Sequence, residues 1–446
     1  MEDEIPFEVP EGWAWCKLND IYNFIDYRGA TPTKITNGIP LVTAKNVKSG
    51  YIDYTIDDYI SEEEFKERQQ RGISKKGDIL FTTEAPLGNA ALADMEKFSA
   101  GQRLITFQQY GSKNELINYV MLMFILSDFF QQQLYVNKTG STVAGIKAAI
   151  LKTLWIPVPP YNEQLRISNT LKSAINLIDS ISKNKEILST SISNTKSKIL
   201  DLAIRGKIVP QDPNDEPTSV LLERIRAEKE ELIKQGKIKR DKKESVIFKG
   251  DDNSYYLRTG GVEESLEDWR FDDLPETWKI CCLWELCDYG DCINVNTEDI
   301  AEDAWILDLE DIEKDTGTVL KKVTKAQRNS VSTKHKFHSG QVLYSKLRPY
   351  LNKVVLSDAD GYCTSEILPL EFKNCVLPEY ARYYLMSGTF IAYANHCSYG
   401  VKMPRLGTTD GKKAIFSLPP LSEQKRIVET IDFCFMQLNK ISEALA

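Results

Sequence analysis

"PPYNEQLRI" (159–167) and "PPLSEQKRI" (419–427) are one phrase, Pro-Pro-x-x-Glu-Gln-x-Arg-Ile, written 260 positions apart in a chain of 446 residues. The proline pair ends the extended segment before it and fixes the chain's exit, because proline cannot extend a hydrogen-bonded ladder. Asn162 or Ser422 then stands at an N-cap position, with Glu163 or Glu423 near the positive end of a new helix. The phrase is a helix start. Stepping 4-3-4-3 from Ile167 gives Leu171, Ala174, Ile178, Ile181, Lys185, Leu188, Ile192, Thr195, Ile199 and Leu202. That is a coiled-coil seam, on a helix of roughly 60 Å at 1.5 Å per residue. The second phrase opens the same ladder with Ile427, Ile431, Cys434, Leu438, Ile441 and Leu445.

Working outward, the chain is written twice. Pro10-Glu11-x-Trp13 is echoed by Pro275-Glu276-x-Trp278. In "GDILFTTEAPLGN" (77–89) and "GQVLYSKLRPYLN" (340–352), Gly77, Leu80, Pro86 and Asn89 match Gly340, Leu343, Pro349 and Asn352 at offset 263. Ser127/Ser387, Phe130/Phe390 and Gly140/Gly400 continue at offset 260, and ordered matches at a nearly constant offset mark an internal duplication. Each copy mixes short strands (39–43 and 79–83; 342–345) with a helix (about 116–136 or 378–395), a glycine-marked loop and a strand running into Pro-Pro. Between the copies lie the break "RGKIVPQDPNDEPTS" (205–219), a charged helix at 220–236, basic "KIKRDKK" (237–243) and a polar linker. The fold class expected is α+β, with two mixed α/β domains at 1–160 and 269–420. A helical spacer (161–245), a linker (246–268) and a short second helix (421–446) complete the chain. The matching seams pair most simply as antiparallel coiled-coil helices, with the two domains at opposite ends of a rod.

Composition excludes several classes. The longest apolar run, Val120–Leu126, falls far short of the ~20 residues of a membrane span, and the acidic start 1–10 is no signal peptide. Nine cysteines contain no C-x-x-C pair, which argues against zinc and for reduced thiols in a cytoplasmic protein. Net charge is −8, yet 321–353 holds nine Lys/Arg (Lys321, Lys322, Lys325, Arg328, Lys334, Lys336, Lys346, Arg348, Lys353) and no acid. A solvated basic face is the usual meaning of one such run. "GSTVAGIKA" (140–148) is no phosphate loop, because Ile146 separates Gly145 from Lys147 and Ala148 replaces the hydroxyl. Val158-Pro-Pro-Tyr161 lacks the polar residue of an amino-methyltransferase loop. No catalytic or metal constellation emerges.

The chain resembles the DNA-specificity subunit of type I restriction–modification enzymes. The match rests on both junction phrases, on "ILDLAIRGKIVPQDPNDEPTSVLLERIRAEKEELIKQGKIK" (199–239), and on "GDILFTTEAPLGN" with "TGSTVAGIK" (139–147). It extends to "VLYSKLRPYLNKV" (342–354), "GYCTSEI" (361–367) and "YGVKMPRLGTTDGKKAIF" (399–416). The resemblance implies that each globular unit is a target-recognition domain reading one half of a split DNA site. It implies helices that act as spacer and as docking platform for methyltransferase subunits, with motor-nuclease subunits joining them. This chain would hold no cofactor; S-adenosylmethionine, ATP and Mg would belong to the partners. A self-contained nuclease or methyltransferase of the same defence systems is the alternative class. In one respect the chain departs from many relatives, which carry a "GKIVPQDPNDEP"-type segment before the first unit too, whereas here the sequence opens at "EIPFEVPEGW" (4–13). With the second helix also short, the far half of the first seam (Leu188, Ile192, Ile199, Leu202) should be exposed for a methyltransferase or for self-association.

The DNA-facing candidates follow from residue chemistry: Arg and Lys for phosphate or guanine, Asn for adenine, hydroxyls and glycine for close approach. They are Lys346, Arg348, Tyr350 and Lys353 in one turn, and Tyr399, Lys402 and Arg405 in the loop 398–413. Unit one offers Thr139, Ser141, Thr142 and Lys147, and more weakly Thr43, Lys45 and Asn46. Asn89 and Asn352, shared by both copies, are read as structural. The partner-facing candidates are Ile167, Leu171, Ile178, Ile181, Leu188, Ile192, Ile199, Leu202, Ile427, Ile431, Leu438 and Ile441.

Overall fold

The glutamine of the repeated phrase explains why the phrase is repeated. In the computed structural model, Gln164 Oε1 accepts from the backbone N–H of Ile117 (2.7 Å) and its Nε2 donates to Pro159 O (2.9 Å). Gln424 does the same 260 residues later, accepting from Leu377 N (2.8 Å) and donating to Pro419 O (3.0 Å) and Cys375 O (2.9 Å). Each buried amide stitches the start of a long helix to the unit it leaves. Gln424→Ala would leave three buried backbone groups without their partner, which is expected to cost about 3 kcal/mol; urea unfolding of the purified chain measures it.

The structure describes residues 6–27, 31–55, 57–110, 116–140, 144–236, 245–252, 254–259, 261–266, 274–328 and 331–445. They fall into two compact units, Met1–Ser182 and Lys183–Ala446. In unit 1 a four-stranded sheet runs in the order Tyr22–Asp26, Leu104–Gln109, Ile79–Thr83, Leu87–Leu92. A smaller sheet joins Tyr59–Ile60, Ile39–Val42 and Ser99–Ala100. Helices α1 (Asn118–Ile125) and α2 (Asp128–Val136) cover the larger sheet, burying Met121, Ile125, Phe130 and Leu134 with Ile79, Phe81 and Phe107. The strand running into Pro-Pro, Trp155–Val158, pairs antiparallel with Ala14–Lys17. From the proline pair α3 runs 43 residues, Tyr161–Ala203, and ends in unit 2. The charged helix α4 (Thr218–Lys234) follows.

Unit 2 repeats the plan. Lys279–Cys282 pairs antiparallel with Ile415–Leu418, the strand that leads into the second proline pair. Helices α5 (Pro378–Leu385) and α6 (Gly388–His396) cover a sheet of Val354–Leu356, Val342–Ser345 and Ile367–Leu370. A five-stranded sheet lies beside it, and α7 (Leu421–Ala444) closes the chain.

Three expectations are corrected. The single helix expected at 116–136, and again at 378–395, is two helices. Ser127 and Ser387 break it by accepting from Phe130 N and Phe390 N and donating to Phe124 O and Tyr384 O, the competition with helix bonds that makes serine a cap. Ser245–Lys249, Tyr255–Thr259 and Val262–Ser265, expected within the spacer's end and the linker, form an antiparallel sheet. Leu257 and Leu266 there pack with Cys282 and Ile415.

The third correction concerns the seam. Ile427 and Ile431 are fully buried with Leu200, Ala203 and Ile204, and Ile199 packs against them. Lys196 Nζ donates to Asn439 Oδ1 (2.6 Å) and stands over the Phe435 ring. Falling numbers on α3 meet rising numbers on α7, so the pair is antiparallel. Ile192 is 7% exposed, whereas Ile178, Ile181 and Leu188 are 60%, 59% and 41% exposed. The uncovered stripe is therefore the middle of α3, not its C-terminal part, because antiparallel pairing brings the short helix to the end of the long one. Of the other seam candidates, Ile167, Leu171, Leu202 and Leu438 are half-buried and Ile441 is exposed.

Candidate nucleic-acid interface

In each unit a turn that holds a non-glycine residue in left-handed conformation carries a hairpin across it. In unit 2 the turn follows the strand Val342–Ser345: Arg348 has φ 50° and precedes Pro349. The hairpin is closed by Tyr399 and Arg405, which exchange backbone bonds of 3.1 and 2.9 Å. Arg348 N donates to Pro404 O (2.7 Å) and Leu406 N to Lys346 O (3.0 Å). In unit 1 Ala85 has φ 45° and precedes Pro86. Thr139 and Gly145 exchange bonds of 2.7 and 3.0 Å, and Ile146 N donates to Thr83 O (3.0 Å). A side chain at positive φ costs about 1–3 kcal/mol, and both copies carry it at the matching position.

In unit 1 the 139–147 segment thus joins the 83–86 turn, which is not among the DNA-facing candidates, and in unit 2 the two candidate segments form one surface. In unit 2 it displays Tyr350, Tyr399 and Met403 about half exposed, Val401 fully in solvent and Lys402 exposed. Lys346 and Arg348 are half-buried beneath, and the Arg348 Nε is buried with no hydrogen-bond partner. Arg405, a candidate reader, is committed elsewhere: its Nε and Nη2 donate to Glu366 at 2.8–3.1 Å, so it holds the hairpin down. In unit 1 Thr139 and Lys147 are exposed, and Ser141 and Thr142 lie outside the described residues.

An inverted charge anchors the two turns. Thr83 N donates to Arg103 O and Lys346 N to Glu366 O, the same bond in each copy. Arg103 then pairs with Glu84 of its turn (3.2 Å), whereas Glu366 pairs with Arg405 of its hairpin. Removing Glu366 (Glu366→Ala) should loosen the unit 2 hairpin only, seen as faster amide exchange at 399–405 with 139–140 unchanged.

The basic run at 321–353 is largely internal. Arg328 bonds Asp308, Glu310 and buried Asp311; Lys321 pairs with Asp311 (3.7 Å), Lys322 with Asp358 (2.7 Å) and Lys325 with Glu302 (3.0 Å). Lys334, 2% exposed, lies 3.8 Å from Asp308. Lys353 donates to Leu309 O (2.6 Å), and burial holds its pKa below the usual lysine value, with Asp311 opposing. Among the described residues, that leaves Lys336, Lys346 and Arg348 as the cations of the run with neither an ion-paired acid nor the carbonyl bond that holds Lys353. No local signal shows this, because the carboxylates at 302–311 reach the run across the sheet. Asn46 too is spent on its own turn, accepting from Thr43 N and Oγ1 and donating to Asp53 O. Thr43 is half-buried beside it and Lys45 exposed. Asn89 bonds Val47 O and Asn352 bonds Met386 O. Cys281, Cys282 and Cys287 are buried free thiols; burial pushes Cys282 up to about 12. Among the described residues no cluster of His, Cys, Asp and Glu could hold a metal, and no helix is long and apolar enough to cross a membrane.

The family model described as the type I restriction modification DNA specificity domain matches residues 10–189 and again 275–444. The chain belongs to this family. The two matches coincide with the two copies of the turn-and-hairpin surface. Relatives of this specificity-subunit chain include the EcoAI specificity subunit of Escherichia coli, 26% identical over 99% of this chain and 80% of that one. The EcoDI subunit of the same organism is 23% identical over 83% and 75%. Two solved structures show the fold, both at 16% identity: the HsdS subunit of Thermoanaerobacter tengcongensis (TM-score 0.52, 99% of this chain and 93% of that one), and a chain from work on complex assembly and conformational transition of the type I R-M system (TM-score 0.58, 99% and 94%). A self-contained nuclease or methyltransferase finds no support among them.

Proposed function

We propose that this specificity subunit reads a two-part target in double-stranded DNA, one half through each turn-and-hairpin surface. One observation carries the reading: the same exposed loop pair, in two chemical versions, is built into both units of one chain. Different side chains on a shared frame suit two different half-sites. Lys402, Lys346 and Arg348 supply the positive charge on the unit 2 surface, and the backbone-rich hairpins allow close approach. The chain would recognise and not react. Methyltransferase and motor-nuclease subunits would dock on it and use S-adenosylmethionine, ATP and Mg, in the cytoplasm.

The test is the methylation pattern of cells carrying this chain with its methyltransferase. With Lys346→Ala and Arg348→Ala together, one half of the methylated sequence should lose definition while the other stays. Equal loss in both halves would contradict two independent readers. The purified chain alone, given S-adenosylmethionine, should transfer no methyl group to DNA.

A further inference from the structure

The two proline–proline junctions are built alike but covered differently. In unit 2 the segment 206–218 lies over the junction. Gln211 bonds the Glu423 carboxylate, whose other oxygen accepts from Trp278 Nε1 at 2.8 Å. Asp215 pairs with Arg426 (2.6 Å) and accepts from the Ser422 hydroxyl. Thr218 completes the cover, its hydroxyl donating to Leu418 O (3.1 Å) and its N–H to Thr277 O (3.0 Å).

Unit 1 holds the same receptor residues in the same order. Trp13, Glu163 and Arg166 stand where Trp278, Glu423 and Arg426 stand, and Trp13 N bonds Pro10 O as Trp278 N bonds Pro275 O. The line of contact is open, however. Trp278, Leu418 and Glu423 are buried, while their counterparts Trp13, Val158 and Glu163 are only half-buried, and Arg166 is exposed. The indole N–H of Trp13 is shielded from water without a hydrogen-bond partner, a state with a cost that a carboxylate or amide partner removes.

We infer that the unit 1 junction is a docking site for a peptide segment of the 206–218 type other than this chain's own residues 206–218, which are held at unit 2. The chemistry required is a segment that turns between a Gln and an Asp four residues apart, as 211–215 does, with Thr three further on at a helix start. Asp would meet Arg166, and Gln would bond Glu163, turning that carboxylate toward Trp13. A second copy of this chain is a poor source, because its own segment already covers its own unit 2. Exchange would open one junction for each it closed.

A labelled synthetic peptide of residues 205–219, titrated onto the full chain and followed by anisotropy, tests this. Saturable binding is expected, weakened roughly tenfold or more by Arg166→Ala in the chain or by Asp215→Ala in the peptide, and unchanged by Arg426→Ala. The peptide substitution cannot disturb the fold. No saturable binding would overturn the inference. So would binding that ignores Arg166→Ala but responds to Arg426→Ala, since the peptide would then be exchanging at unit 2. Self-association of the chain that blocks the peptide would assign the site to a second copy and overturn the occupant inferred.

Discussion

Replacing Ile427 by Asp is expected to destabilise unit 2 by about 4 kcal/mol or more, because it sets an unpaired carboxylate in a packed core. Ile427 is fully buried where α7 meets Leu200 and Ala203 of the first long helix and Ile204 just beyond its end. The matching change at Ile178 and Ile181, seam positions by the same 4-3 count, should alter stability by only about 0.5 kcal/mol each, since both lie about 60% exposed. The contrast separates packing from recruitment. Thermal unfolding should show a large shift for Ile427→Asp and almost none for the Ile178→Asp, Ile181→Asp double variant. Co-purification with the methyltransferase should show the reverse order of interest: a folded double variant that no longer brings the partner down. An exposed apolar stripe of this length is a recruitment surface more often than an accident. Full recovery of the complex with the double variant would remove the stripe from the docking platform.

The seam itself was legible from sequence because heptad spacing is a local, periodic signal. Which part of it is covered was not. Ile178 and Ile192 look alike in sequence, and only the direction in which α7 returns distinguishes them. The repeat was legible for a related reason: Gln164 and Gln424 both tie the helix start to the unit it leaves and to the first proline's carbonyl, so the phrase around them had to persist in both copies. The hairpin surfaces were half legible. Glycine and hydroxyls marked 137–147 and 398–413 as loops, although Thr408–Lys413 is a short helix, and nothing local says that Arg405 answers Glu366 rather than a phosphate, or that Arg328 and Lys334 answer Asp308 and Asp311. Those are pairings across a sheet, and charge runs do not record them. The short sheet at 245–265 was missed because its strands are polar on their exposed faces and bury little beyond Leu257.

Lengthening α3 by four residues after Lys183 is expected to widen the gap between the two half-sites and leave both half-site sequences intact. Residues 172–191 are all exposed, so the insertion enters helix that neither core needs. Four residues add about 6 Å at 1.5 Å per residue and advance the helix by little more than one turn, about 40° in excess at 3.6 residues per turn. DNA rises about 3.4 Å per base pair, so the added length corresponds to about one or two base pairs of unread sequence. The proposed reading surfaces lie far along the chain from Lys183, at 346–350 and 399–405 in one unit and 83–86, 139–140 and 144–145 in the other, so their base contacts should not change. Sequencing of methylated sites in cells expressing the lengthened chain with its methyltransferase reads gap and half-sites in one experiment. An unaltered gap with changed half-sites would mean that the helix does not set the spacing. Two residues inserted at the same place turn the helix by about 200° and should abolish methylation at every spacing, because length is then added on the wrong face. The pair of insertions therefore distinguishes a spacer that acts through length alone from one that acts through length and phase.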